Sequence, residues 1–349
     1  MTVIAVDANG ADLGPAEVAA GAHIAAAEGV EVLLFGPADQ LGRSGDGVEV
    51  IDAPRSIAKE LNPANAVRGA PDASIVLAAR AVGEGRAAAL VCNGSTGAAL
   101  VAGQLHIKRA TGIYRPALAI TVPVPGRPVT LLDVGANPDV RVEYLVQFAF
   151  MGAAYASAVL GIPRPRVGLL SNGVEPERGS QLVIEAHEAL VAQTAGSDAL
   201  IFVGNVEGSG LTEGVVDVVV TDGFTGNVAL KVIEAVSQTM LVTIRDIAHA
   251  STRGKLGGLL LSGGLRSFVD EVDPEGQGGA YLLGLRQLGV ISHGSFTRHG
   301  IARAIFRARR GVEEDLVGRT HRALEAAGAL RRANNPEASQ GTAIVTAER

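Results

Sequence analysis

Short apolar runs rich in Val, Ile and Leu recur at Val3 to Val6, Val32 to Phe35, Val48 to Ile51, Ala88 to Cys92, Val129 to Val134, Val167 to Leu170, Leu200 to Val203, Val215 to Val220 and Val290 to Ile291. Their apolar residues are consecutive rather than alternating, the pattern of strands buried on both faces. Longer Ala-rich stretches with helical spacing separate most of them: Ala16 to Glu28, Asp72 to Gly83, Gly97 to Arg109, Val142 to Leu160, Gln181 to Ala192 and Asn227 to Ala250. This alternation predicts an α/β fold of three layers, a mostly parallel sheet with helices on both faces.

The stretch from Phe148 to Ile162 is almost wholly apolar but shorter than the roughly 20 residues a membrane span needs, so it predicts a buried core helix. The helix Asn227 to Ala250 is followed by another, Leu256 to Val269, and together they predict a helical hairpin, about residues 227–270, projecting from the sheet. No fixed-period repeat or Pro/Ser-rich linker divides the chain, which predicts one domain over residues 1–330. Residues 331–349 lack periodicity and predict a mobile C-terminal tail.

Composition narrows the chemistry. Hydrophobic residues make up 47% of the chain and charged residues 19%, with 45 glycines, an aliphatic and turn-rich balance. The formal net charge of -6 offers no basic face to nucleic acid. Cys92, in an apolar run, reads as an inert core thiol in a reducing compartment, and no Cys/His spacing fits a metal. The first strand begins at once, without a secretion signal, which predicts a cytoplasmic protein. The P-loop, the dinucleotide fingerprint after the first strand and the Gly-x-Ser-x-Gly elbow are all missing, so neither a nucleotide cofactor nor a serine nucleophile is expected.

Ligands of open parallel sheets collect beyond the carboxyl ends of strands, where helix N-termini present unpaired N–H groups. Four such ends carry small and polar residues: Asn93-Gly94-Ser95-Thr96-Gly97, Asp133-Val134-Gly135-Ala136-Asn137-Pro138, Thr221-Asp222-Gly223-Phe224-Thr225-Gly226-Asn227 and Ser292-His293-Gly294-Ser295. Glycine there permits positive φ and close backbone approach, while the polar side chains reach a ligand or cap a helix. The candidate substrate-binding residues on these turns are Asn93, Ser95, Thr96, Gly97, Asp133, Gly135, Asn137, Asp222, Gly223, Gly226, His293, Gly294 and Ser295, expected on one sheet edge around a phosphate, and Asp7 after the first apolar run is a further candidate. His293 is a candidate for either general acid or structural hydrogen bonding.

Taken together, these turns resemble the bacterial phosphate acyltransferases of phospholipid synthesis, the PlsX family, from Val3 to about Arg310. The most specific segments are Leu131 to Asn137, Phe202 to Gly208 and Asp217 to Lys231, with weaker support from Asp7 to Asp12, Gly278 to Ala280 and Ser292 to Ser295. The resemblance implies a fold like that of isocitrate and isopropylmalate dehydrogenases and no cofactor. It also implies that inorganic phosphate attacks a fatty acyl thioester on acyl carrier protein, giving acyl phosphate for phospholipid synthesis. Phosphate is itself the nucleophile, so orientation and charge stabilisation suffice. In the family an asparagine of the Asp-Gly-Phe motif, matched by Asn227, and a lysine before a glycine, matched by Arg178 before Gly179, are linked to activity; these are the candidate catalytic residues. Arginine keeps the charge and grips phosphate, which suits orientation rather than proton transfer. Further departures at Asn9, Ala11, Leu13, Asn93, Ser95 and Ser180 point to altered acyl specificity or a specialised paralogue.

The resemblance also implies delivery of the product to a membrane glycerol-3-phosphate acyltransferase. The segment Lys255 to Arg266 carries Leu256, Leu259, Leu260 and Leu261 between Arg253, Lys255 and Arg266, which predicts an apolar tip on the inner membrane face. The same leucines fit a homodimer contact. Rival readings are an acyl-CoA:phosphate transferase of the phosphotransacetylase kind, a metal- and NAD-dependent dehydrogenase, and a binding protein without turnover.

Overall fold

Among the described residues of the computed structural model, eleven strands form one sheet. They are β1 (Val3–Asp7), β2 (Glu31–Gly36), β3 (Val48–Asp52), β4 (Ala89–Asn93), β5 (Ala117–Val122), β6 (Val129–Leu132), β7 (Arg166–Leu170), β8 (Ile201–Val206), β9 (Val218–Val220), β10 (Ala280–Leu283) and β11 (Leu288–Ser292). Across the sheet they run β3-β2-β1-β4-β11-β10-β5-β6-β9-β7-β8. The structure describes residues 2–331 apart from 123 and 125; the side chains of 265–267, 270–272 and 274 and the predicted tail beyond Arg331 lie outside the described residues.

Each predicted strand is present, and β5 and β10 are additional. Their sequences, Ala-Leu-Ala-Ile-Thr-Val and Ala-Tyr-Leu-Leu, are short and alanine-containing, and alanine is depleted in strands. These two strands set the polarity of the sheet. β1, β2, β3, β4 and β11 run parallel, as do β6, β7, β8 and β9. Between the blocks, β11 pairs antiparallel with β10, β10 with β5, and β5 with β6. Three successive reversals leave the blocks pointing in opposite directions.

The expectation that the four turns share one sheet edge is thereby corrected: β1, β4 and β11 end at one edge, β6, β7 and β9 at the other. Twist brings the two sets back into relation. At about 20–25° per strand pair, the five steps from β4 to β9 accumulate to about 100–125°, so opposed carboxyl ends lean toward the same face. The helices Thr96–Ala102 and Gly223–His249, which begin beyond β4 and β9, pack on one face of the sheet through Ala98, Ala99, Leu230 and Ile233 around Leu90, Leu131 and Leu282. The other face carries Pro15–Ala27, Val142–Leu160 and Arg298–Glu313, with Val18, Phe148 and Ile305 against Leu132 and Val290.

Val142–Leu160 is the expected core helix; it buries Phe148, Phe150, Met151 and Tyr155 and ends at Gly161 in the left-handed conformation. Tyr155 also fixes the reversed strands. Its hydroxyl lies 2.6 Å from Thr121 Oγ1 on β5 and accepts from the Arg307 guanidinium, which sits 4.9 Å from the Tyr281 ring centroid on β10. Arg307 further donates to the Gln277 carbonyl, just before β10. One part-buried cation thus ties β5, β10, the core helix and the Arg298–Glu313 helix together.

The helices Gly223–His249 and Thr252–Val272 form the projecting hairpin, the second capped by Ser251 Oγ accepting from Gly254 N at 2.9 Å. Along the first, Phe224, Val228, Val232, Val236, Met240 and Ile247 form an exposed apolar stripe.

Candidate functional site

At the β6 and β9 edge, Asp133 organises the turn. Its Oδ1 accepts from the backbone N–H groups of Leu118 (2.9 Å), Gly135 (3.3 Å) and Ala136 (3.0 Å), and its Oδ2 from Asn137 N and Nδ2, both at 2.8 Å. The carboxyl is fully buried; burial pushes its pKa up while these donors pull it down. Asn137 Nδ2 also donates to the Pro116 carbonyl at 2.7 Å. Asp133 and Asn137, read from the sequence as ligand contacts, therefore direct these groups at the protein and serve as the frame of the site.

The Gly223–His249 helix butts against this frame. Gly223 N donates to Asn137 O at 2.7 Å, and a Cβ at Gly226 would stand 1.9 Å from Asp133 O, so the sequence needs glycine there for packing. Asp222 is the N-cap, its Oδ1 accepting from Thr225 N and its Oδ2 from Thr225 Oγ1, each at 2.7 Å. Capping is thus provided without Asn227. One turn into the helix, Asn227 is exposed, and its side-chain amide has no hydrogen-bond partner among the described residues; the Cβ position of Gly135, at φ 135°, is 3.9 Å away. An amide donor held on a rigid helix is suited to a ligand anion.

Arg178 lies in the loop after β7, at this same edge. Asn205 Nδ2 donates to the Glu175 carbonyl at 2.8 Å and Ser171 Oγ to the Arg178 carbonyl at 3.0 Å, fixing the loop backbone. His187 Nδ1, 3.0 Å from Asn205 Oδ1, orients that amide. The Arg178 guanidinium stays exposed, with Glu175 Oε2 at 3.6 Å from Nε. Asn205 and His187 were not among the candidate residues, although Asn205 stands inside the quoted Phe202 to Gly208 segment.

At the opposite edge the turns after β1, β4 and β11 pack backbone to backbone. A Cβ at Gly94 would stand 2.4 Å from Gly10 O and 3.1 Å from Gly294 Cα. Asn93 is buried, donating from Nδ2 to Asp7 O at 2.9 Å and accepting at Oδ1 from Ser292 Oγ at 2.6 Å. Ser95 Oγ donates to Ala58 O at 3.4 Å, while Thr96 and Gly97 open the next helix, Gly97 against Pro63. Asp7 is buried; its Oδ1 accepts from Asn9 N at 3.2 Å, and Asn9 Nδ2 donates to Ser74 Oγ at 2.9 Å. His293 is exposed, and its Nδ1 accepts from Ser295 N at 3.3 Å, which leaves Nε2 to carry the proton in the neutral ring. Thr96, His293 and Ser295 thus remain at the surface of this group, and Asp7 and Asn93 are interior ties. No group of three or more His, Cys, Asp or Glu among the described residues is placed to hold a metal.

Burial raises the Asp7 carboxyl from 3.8 to about 7. The folded chain then binds more protons than the unfolded one between these values, so this group's contribution to stability falls as pH rises from about 4 to about 7 and stays lowered above. Asp7→Asn should accordingly gain stability relative to the parent on going from pH 4 to pH 8, on the order of 2–4 kcal/mol by urea denaturation. A difference independent of pH would place the carboxyl in the ordinary range.

Comparison with known proteins identifies the family and the fold. The model of the fatty acid synthesis protein family matches residues 2–319. A phosphate acyltransferase of Streptococcus equi subsp. zooepidemicus is 41% identical over 325 residues, 91% of this chain and 96% of its own. Another, from Anoxybacillus flavithermus, is 41% identical over 320 residues, covering 90% and 96%. The fold matches that of the EutD phosphotransacetylase from Staphylococcus aureus with a TM-score of 0.60 at 17% identity, over 89% of this chain and 94% of that one. The chain belongs to the fatty acid synthesis protein family, the phosphate acyltransferases its turns resemble, and it is an acyltransferase.

Proposed function

We propose that the chain transfers a fatty acyl group from the thioester of acyl carrier protein to inorganic phosphate, yielding acyl phosphate for phospholipid synthesis. The observation that carries this reading is the free amide of Asn227, presented beside Gly135 on the face where the strand ends converge. A phosphate oxygen attacks the thioester carbon, the C–S bond breaks, and the proton of hydrogen phosphate ends on the departing thiol. Asn227 donates to the oxygen that gains charge, and Arg178 orients the phosphate. Cys92 takes no part: it is buried, and desolvation pushes its thiol pKa upward. The phosphotransacetylase-like fold supports a second reading, with CoA as the thiol. Incubation with phosphate and a panel of carrier-protein and CoA thioesters, trapping acyl phosphate with hydroxylamine, separates the two; no product from any thioester would remove both.

Asn227→Ala should lower kcat roughly 10²- to 10³-fold with an unchanged melting temperature. Asp222→Ala, which removes the cap, should instead cost about 1 kcal/mol of stability. A normal kcat in Asn227→Ala would take that residue out of the reaction. Arg178→Ala should raise the KM for phosphate while Arg178→Lys keeps most activity; unchanged phosphate saturation in the alanine variant would make Arg178 a solvated loop charge.

The hairpin supports a peripheral contact with the inner membrane face, where a membrane glycerol-3-phosphate acyltransferase would take the product. Leu256, Leu259, Leu260 and Leu261 are 61–78% exposed, on the first turns after the bend rather than on the bend itself. Arg253 and Lys255 flank them; the side chain of Arg266 lies outside the described residues. The stripe from Phe224 to Ile247 supports a homodimer along the stem. Among the described residues, two helices have the length and apolarity to cross a membrane, Val142–Leu160 and Gly223–His249; the first is largely buried, and the second roots at Asp222 in the site. With Leu259, Leu260 and Leu261 all changed to Ser, the protein should no longer float with anionic liposomes while light scattering still reports a dimer. Continued flotation would exclude the tip as the membrane contact.

A further inference from the structure

At the rim of the β6 and β9 edge two arginine side chains reach one aromatic pair, and two more arginines stand next to it along the backbone. The Tyr114 and Tyr144 rings lie 5.6 Å apart. Arg109 donates from Nη1 to the Tyr114 carbonyl, the Arg331 guanidinium stands 6.0 Å from the Tyr114 ring centroid, Arg115 follows Tyr114 directly, and Arg141 accepts through its carbonyl from Tyr144 N at 3.0 Å. All four are exposed and, among the described residues, none forms an ion pair with a carboxylate. Asp139 and Glu143, the carboxylates closest in sequence, are exposed and do not pair with them either. This concentration of positive charge stands on a chain of net charge -6.

The backbone beneath the patch is rigidly built. Gln147 is buried; its Oε1 accepts from Tyr114 N, and its Nε2 donates to Gly112 O and Ala329 O, each at 2.9 Å. Arg331 N donates to Gly112 O at 2.7 Å. One side chain thus pins both segments that carry Arg115 and Arg331. The patch also adjoins the site: the carbonyl of Pro116, next to Arg115, accepts from Asn137 Nδ2, and Asn137 O accepts from Gly223 N, one turn before Asn227.

We infer that Arg109, Arg115, Arg141 and Arg331 form the docking surface for the acidic protein that carries the acyl thioester. The inference rests on the acyl-transfer reading proposed above. A cationic rim beside a reaction site raises the encounter rate of an anionic macromolecule and fixes its approach, an effect that salt screens. A small thioester, with little charge to steer, does not need it.

The test uses the full chain with Arg115→Glu/Arg141→Glu, together with Arg115→Lys/Arg141→Lys. Binding of acidic acyl carrier protein is read by fluorescence anisotropy, independently of turnover. The reversal variant should bind about tenfold more weakly, the lysine variant about as tightly as the parent, and the parent's affinity should fall with salt. With acyl phosphate trapped by hydroxylamine, KM should rise for the carrier-protein thioester and not for the same acyl group on N-acetylcysteamine or on CoA. Equal binding by parent and reversal variant overturns the inference, as does an equal KM rise for the small thioester, which would report damage to the site. If only the CoA thioester loses affinity, the surface recognises nucleotide phosphates and the carrier-protein proposal fails. Carrier binding that depends on the arginines in a parent inactive with every thioester sustains the docking surface and removes the acyl-transfer reading instead.

Discussion

Three antiparallel pairings in succession, β11 with β10, β10 with β5 and β5 with β6, are the constraint from which the rest of this structure follows. They reverse strand direction between two parallel blocks, and the fixed hand of sheet twist then leans the carboxyl ends of both blocks onto one face. Without the reversal, those ends would lean to opposite faces. At about 4.8 Å per strand, β4 and β9 are separated by about 24 Å across the sheet. The cluster of Thr121, Tyr155, Tyr281 and Arg307 fixes the two strands that create this geometry.

Within each set of strand ends, framework and free groups divide cleanly. Buried Asp133 and Asn137 on one side, and Asp7, Asn93 and Ser292 on the other, direct their hydrogen bonds inward and hold the turns. Asn227, Arg178, Thr96 and His293 remain at the surface of that framework. The division follows from desolvation: a buried carboxyl or amide must find internal partners, and here the partners are the backbone N–H and carbonyl groups that define each turn.

Much of this was legible in the sequence. Consecutive Val, Ile and Leu runs mark the buried parallel strands, Gly223 and Gly226 mark a helix pressed against a strand turn, and the order of the motifs marks the family. The polarity was not legible, because β5 and β10 carry alanine and little periodicity, and strand direction depends on pairing partners far along the chain. Nor could spacing distinguish an aspartate that binds a ligand from one, like Asp133, that gathers its own turn. The cap of the Gly223–His249 helix is Asp222, a local matter decided by which residue precedes the first helical turn.

The proposed place of reaction is the turn beside Gly135, with Asn227 at the phosphate. A crystal structure of the chain with inorganic phosphate and a non-hydrolysable thioester analogue tests this most directly. A phosphate oxygen is expected within hydrogen-bond distance of the Asn227 amide. Phosphate bound on the face covered by Val142–Leu160, or out of reach of Asn227, would contradict it.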